Sequence, residues 1–156
     1  MVKYAVASKN DIEALMQIRL EMLKVVNELP SDYVFSKELI AKSREYFESG
    51  NQTTVFAVEK NLIGCATMCY IEVMPTLSHP TGKRAHLMNV YTNCEYRRQG
   101  IAFQMLNMLI EEAKVKGVTE ISLYATEAGR PLYLKCGFTE SNECMVLNLN
   151  QSNPGR

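Results

Sequence analysis

The chain has 156 residues, of which 47% are hydrophobic and 22% charged. That is long enough to bury a core without disulfide or metal support, and the composition excludes a disordered or collagen-like chain. Lys plus Arg and Asp plus Glu are each 17, so no overall basic field attracts nucleic acid, and an anion must be held locally.

Val2, Tyr4 and Val6 alternate with Lys3 and Ala5, which predicts a short first strand. Ser8 and Asp11 have capping-box spacing, and apolar residues from Ile12 to Val26 recur at helical intervals, so a helix is expected from about Lys9 to Asn27. Leu29-Pro30-Ser31-Asp32 breaks it, and Ser36 caps a second helix that stops at Gly50. Val55 to Glu59 and Leu62 to Val73 read as strands joined at Lys60-Asn61, with Gly64 marking a bulge. Met74 to Ala85 reads as a loop and His86 to Thr92 as a strand. An amphipathic helix runs from Gly100 to Lys116, a strand from Glu120 to Thr126 and a short helix from Gly129 to Cys136. Phe138 to Glu143 and Met145 to Leu149 read as a closing antiparallel pair.

Only the strand–helix–strand stretch from His86 to Thr126 implies parallel pairing. The expected fold is therefore α/β (α+β). It has a mixed, mostly antiparallel central sheet of about seven strands, flanked by about four helices. Residues 1–149 read as a single domain and 150–156 as a flexible polar tail.

Cys65, Cys69, Cys94, Cys136 and Cys144 are odd in number, lack CxxC spacing and are accompanied by two histidines. That pattern predicts reduced thiols in a cytoplasmic protein and no metal. No uncharged stretch reaches the ~20 apolar residues of a spanning helix, and charges at Lys3, Lys9, Asp11 and Glu13 interrupt any signal core.

The informative stretch is Asn89 to Ala102, where a strand runs through a turn directly into a helix. The first N–H groups of a helix have no internal partner and carry partial positive charge, so such a turn binds anions. Gly100 allows close approach to the backbone, and Arg97 and Arg98 add full charges. The expected ligand is a phosphate or pyrophosphate; the alternative is a solvated arginine pair ahead of an ordinary helix. Nucleoside-triphosphate and dinucleotide loops are excluded because their lysine and glycine patterns are missing.

Arg97-x-x-Gly100-x-Ala102 resembles the Gln/Arg-x-x-Gly-x-Gly/Ala signature of the GNAT superfamily of N-acetyltransferases. Leu132-Tyr133-Leu134-Lys135-Cys136-Gly137-Phe138 is similar to that family's Leu-Tyr-x-Lys-x-Gly-Phe segment. The order of elements matches over about residues 1 to 149. The resemblance implies an acetyl-coenzyme A site. Backbone amides across Arg98, Gln99, Gly100, Ile101 and Ala102, with Arg97 beside them, hold the pyrophosphate. Val90 and Thr92 pair with the pantetheine arm, and Tyr133 protonates the departing thiolate.

An amine must lose a proton to attack a thioester. A backbone N–H, for which Val90 is the natural candidate, can stabilise the oxyanion. Glu72 is the first candidate for general base, with His86, His79 and Glu127 as alternatives; His86, flanked by Lys83 and Arg84, reads as a surface residue. Thr126 and Gly129 depart from the family's usual Asn and Ala, and Arg130-Pro131 is either a helix start or a substrate contact. The resemblance further implies that about Leu20 to Gly50 form one acceptor wall. Tyr33, Phe35, Tyr46 and Phe47 line it or pack the core.

The expected function is acetyl transfer from acetyl-coenzyme A to a primary amine of a small molecule or peptide. A protein N-terminal acetyltransferase and a non-catalytic acyl-coenzyme A-binding module are the alternatives. Neither nucleic acid nor membrane is expected as a partner, and a homodimer stays open.

Overall fold

The computed structural model describes residues 1–150. Residues 151–156, most of the expected tail, lie outside the described residues. Ser8 and Asp11 form the capping box that their spacing predicts. The Ser8 N–H donates to Asp11 Oδ2 at 2.7 Å, and Ser8 Oγ accepts from the Asn10 N–H at 3.3 Å. The chain thereby leaves β1 (Lys3–Val6) and enters α1 (Ile12–Val26). Ser36 Oγ accepts from the Leu39 N–H at the start of α2 (Lys37–Ser49). There follow β2 (Gln52–Val58), β3 (Leu62–Glu72), β4 (Lys83–Thr92), α3 (Ile101–Val115), β5 (Glu120–Ser122) and α4 (Arg130–Lys135).

These strands form one five-stranded sheet in the order β1-β2-β3-β4-β5. The first three pairings are antiparallel. The β4–β5 pairing is parallel, as the crossover through α3 requires.

The expected seven strands are five. Phe138 to Glu143 and Met145 to Leu149 are not strands, and Met145, Val146, Leu147 and Leu149 are exposed. The edge against which they would pair is only three residues long, which is too short to template a strand, and a lone hairpin is marginal in water. Conversely, β4 begins three residues earlier than expected, because Lys83 and Arg84 pair with Glu72 and Ile71 of β3.

Alternation along the strands loads both faces of the sheet. Val55, Ala57, Ala66 and Met68 join Met105, Leu106 and Leu109 of α3 in one core cluster. Phe56 and Cys65 join Leu15, Ile18, Met22 and Leu23 of α1 in the other. Gly64 sits where a Cβ would come within 2.8 Å of the Tyr91 carbonyl oxygen, so only glycine allows β3 and β4 to approach there. The bulge expected near it is present, because the β2–β3 register shifts between Ala57 and Val58.

A second bulge shapes the function. Cys65 opposes Tyr91 but Thr67 opposes Met88, so Asn89 and Val90 together face the single residue Ala66. Asn89 has φ +58 in the left-handed region, which asparagine tolerates better than most residues. The extra residue inverts the alternation. Ala85 and Leu87 pack toward α3, whereas Tyr91 packs toward α1. A buried polar chain pins the bulge: Asn89 Nδ2 donates to Thr67 Oγ1 at 3.2 Å, the Thr54 and Thr67 hydroxyls lie 2.7 Å apart, and Thr54 donates to Gln52 Oε1 at 2.8 Å.

Thr67→Val removes the acceptor for the buried Asn89 amide while keeping side-chain volume. We expect a loss of about 1–3 kcal/mol in unfolding free energy, measured by urea denaturation. An unchanged midpoint and slope would mean that this chain does not hold the bulge.

Candidate active site

β4 and β5 are paired only where Arg84, Ala85 and His86 face Glu120, Ile121 and Ser122. Beyond His86 the bulge increases the local twist of β4, and the chain after Ser122 turns away toward α4. The two strands therefore splay apart. Among the described residues no strand pairs with that side of β4 from Leu87 to Thr92. The gap contains a cleft of about 130 Å³. Arg19, Met22 and Val26 of α1 form one wall and residues 86–90 of β4 the floor, and Tyr124, Thr126 and Tyr133 close the far side.

At the end of β4 the chain makes one 3₁₀ turn over Cys94–Tyr96, capped by the Asn93 side chain accepting from the Glu95 N–H. It then reaches α3 through two left-handed residues, Arg98 at φ +64 and Gly100 at φ +79. A non-glycine residue in this region is uncommon and costs energy, and such strain gathers where a ligand is held. None of the backbone N–H groups of residues 98–102 donates to a protein acceptor among the described residues. An ideal Cβ built on Gly100 meets nothing within 4 Å, so the space before the amides is open. Arg97 Nε donates to the Thr92 carbonyl at 3.0 Å, which ties the turn to the strand end. Open amides, a helix N-terminus and two arginines fit a pyrophosphate.

α4 is built to present Tyr133. Thr126 caps the helix: its hydroxyl accepts from the Gly129 N–H at 3.1 Å, and its carbonyl accepts from the Arg130 N–H at 3.0 Å. A Cβ at Gly129 would lie 3.0 Å from the Tyr133 ring, so the small residue makes room for the phenol. The ring packs edge-on against Phe138. Its hydroxyl has no protein partner among the described residues, although the ring is half-buried. Burial raises the phenol pKa above its ordinary value of 10, so the proton stays on at neutral pH. Arg130 pairs with Glu127 and Glu140 and is a helix-start residue, not a free group at the cleft.

The model of the acetyltransferase (GNAT) family matches residues 13–138 of this chain. The chain is 32% identical to a predicted acetyltransferase with acetyl-CoA from Clostridium acetobutylicum, over 96% of this chain and 97% of that one, with a TM-score of 0.83. The chain belongs to the GNAT family of acetyltransferases. A GCN5-related N-acetyltransferase from Ralstonia eutropha shares the fold at 21% identity, over 96% of this chain and all of that one, with a TM-score of 0.74. An aminoglycoside acetyltransferase from an uncultured soil metagenomic sample shares it at 17% identity, over 96% and 99%, again with a TM-score of 0.74. No curated protein matches the chain. GNAT membership supports acyl transfer from acetyl-coenzyme A, and the open amide turn beside a splayed strand fits that molecule.

In this GNAT chain the structure gathers some of the expected residues and separates others. Val90 and Tyr133 line the cleft, and Thr92 ends the strand that runs from it to the turn at residues 97–102. The buried Thr92 hydroxyl has no partner among the described residues. Glu72, expected as general base, does not reach the cleft. It is exposed and opposes Lys83, three residues before His86 and thus about 10 Å back along β4. Glu127 projects into solvent and pairs with Arg130, and His79 lies in the loop before β4, beside Thr119 and Glu120. Phe35 and Phe47 pack against the α1-side core, Tyr33 lies edge-on against Phe35, and the Tyr46 hydroxyl donates to the Asn51 carbonyl. None of the four lines the cleft.

His86 is the base candidate that the fold brings in. It is half-buried, lines the cleft, hydrogen-bonds through Nδ1 with Ser122 Oγ at 2.8 Å and packs edge-on against Tyr124. Of the two neighbouring cations that suggested a surface position, Arg84 is engaged elsewhere, paired with Glu120.

Burial lowers the His86 pKa below its ordinary 6.5. The neutral ring is therefore the folded form. Its contribution to stability is present above pH ~6.5 and is lost as pH falls through the lower folded value. A ¹H–¹⁵N NMR titration, assigned with a His79→Gln variant, should place the His86 midpoint below 6.5; a midpoint above 6.5 would mean that the ring is solvated or paired with an acid.

Proposed function

We propose that this protein transfers the acetyl group of acetyl-coenzyme A to a primary amine of a small molecule or peptide, by direct attack with both substrates bound. The observation that carries this reading is the Tyr133 phenol, without a protein partner among the described residues, lining a cleft whose floor strand, β4, leads to an open amide turn.

Acetyl-coenzyme A supplies a thioester carbonyl open to attack. The N–H groups of Arg98, Gln99, Gly100, Ile101 and Ala102, with the Arg97 and Arg98 side chains, hold its pyrophosphate. The unpaired main chain at Val90 and Thr92 takes the pantetheine arm as an added strand. The Val90 N–H stabilises the charge that develops on the carbonyl oxygen. Neutral His86 accepts the amine proton; this requires the Nδ1–H to donate to Ser122 Oγ, leaving Nε2 basic. Tyr133 gives its proton to the departing sulfur. A free phenol and a free thiol differ by roughly 1.5 pKa units, so the transfer is favourable only where the leaving thiolate is partly desolvated, as it is in a half-buried cleft.

Tyr133→Phe keeps the ring and loses no protein hydrogen bond. It should lower turnover in a thiol-release assay by roughly 10²–10⁴-fold. Melting temperature, and its rise on adding acetyl-coenzyme A, should change little. Wild-type turnover in a folded Phe variant would remove Tyr133 from the chemistry, and a wild-type protein whose melting temperature ignores millimolar acetyl-coenzyme A would contradict the reading itself.

A further inference from the structure

Arg19 is the one charged group in the cleft wall that nothing in the acetyl-transfer chemistry uses. It follows Ile18 on the buried face of α1 and precedes Met22 by one turn. Its guanidinium makes two hydrogen bonds, both donated by Nη1: to Asn89 Oδ1 at 3.3 Å and to Met22 Sδ at 3.5 Å. Both partners are neutral. No carboxylate lies within 4 Å of it among the described residues, whereas Arg44, Arg84 and Arg130 are each ion-paired. Arg97 and Arg98 are exposed at the pyrophosphate turn. Arg19 is thus the described arginine that is both half-buried and without a counter-charge.

A charge taken out of water is costly unless something pairs with it. The cleft offers no counter-charge: its lining includes no Asp or Glu. The cost of burial also shows as a lowered Arg19 pKa, although the group stays charged. Nε and Nη2 have no protein acceptor among the described residues and are not fully buried, and the side chain lines the cleft. They are two adjacent N–H donors in one plane, the arrangement that takes a carboxylate or phosphate through two parallel hydrogen bonds. The Asn89 bulge holds the fork through Oδ1 and is itself fixed by Thr67.

We propose that the acceptor carries an oxyanion, a carboxylate or a phosphate, in addition to its amine, and that Arg19 binds that group and so selects the substrate. This rests on the acetyltransferase reading. A polycationic acceptor is disfavoured, because it would bring further positive charge against an uncompensated guanidinium.

The test uses the wild-type protein and acetyl-coenzyme A with two matched pairs of amines: an amino acid against its methyl ester, and an aminoalkyl phosphate against its alcohol. We expect kcat/KM to favour the anionic member of at least one pair by about tenfold or more; the pair that shows this assigns the carboxylate or the phosphate. Arg19→Met should raise KM for that anionic amine by roughly ten- to a hundredfold and leave the neutral partner's KM nearly unchanged. Arg19→Lys, which keeps the charge and loses the fork, should fall between the two. Neutral amines used as well as anionic ones by the wild type would overturn the proposal. So would an Arg19→Met protein that melts lower yet keeps the wild-type KM for the anionic amine, because Arg19 would then be a strut between α1 and β4. A melting shift with acetyl-coenzyme A that persists in either case keeps the acetyltransferase reading; its absence in the wild type overturns that reading and this one together.

Discussion

One extra residue in β4 is the constraint on which the site depends. Two residues of β4, Asn89 and Val90, occupy the space opposite Ala66, and the strand leaves the plane that β5 would need to follow. A regular strand would continue the parallel ladder past Ser122 and close the gap. The bulge instead leaves main-chain groups of β4 unpaired, which is costly unless water or a ligand takes them up. It also changes which side chains face α1. Before it, Ala85 and Leu87 face α3; at it, Asn89 meets Arg19; after it, Tyr91 joins the α1 core. The side chains that face the cleft from β4 are in this sense set by a single register shift.

The electrostatics follow a similar economy. The chain has no net charge to attract an anionic ligand, so attraction is local. At the turn it comes from backbone amides that nothing else uses, with two exposed arginines beside them. In the cleft it comes from one half-buried guanidinium held by neutral partners. Burial shifts the two titrating groups that line the cleft toward their neutral forms, the Tyr133 phenol up and the His86 imidazole down.

Much of this was legible in the sequence, for physical reasons that are local. Ser8 with Asp11, Ser36 before α2 and the Arg97-to-Ala102 turn are all read within a few residues, and each appears as expected. The Tyr133 segment was legible only through its likeness to the GNAT family's Leu-Tyr-x-Lys-x-Gly-Phe segment. What failed needed partners distant in the chain. Glu72 reads as near the cleft only until the antiparallel register puts it opposite Lys83. His86 reads as a solvated residue only until Arg84 is seen to pair with Glu120. The closing strand pair failed because Met145-Val146-Leu147 is a continuous apolar run without a clear period, and β5 offers it three residues of edge. In the sequence Arg19 is one polar position of the first helix; its meaning lies in what faces it. The β4 bulge left one trace, an asparagine able to adopt a left-handed conformation, and that is too common to be a signal.

The central claim is that the splayed edge of β4 and the turn after it together hold acetyl-coenzyme A. Backbone ¹H–¹⁵N NMR spectra recorded during an acetyl-coenzyme A titration test it most directly. The account predicts that the largest shifts, with slowed amide exchange, fall on Val90, Thr92 and residues 98–102, with smaller changes at Tyr133. Shifts confined to another surface, such as the exposed segment Met145 to Leu149, with residues 88–102 unmoved, would contradict it.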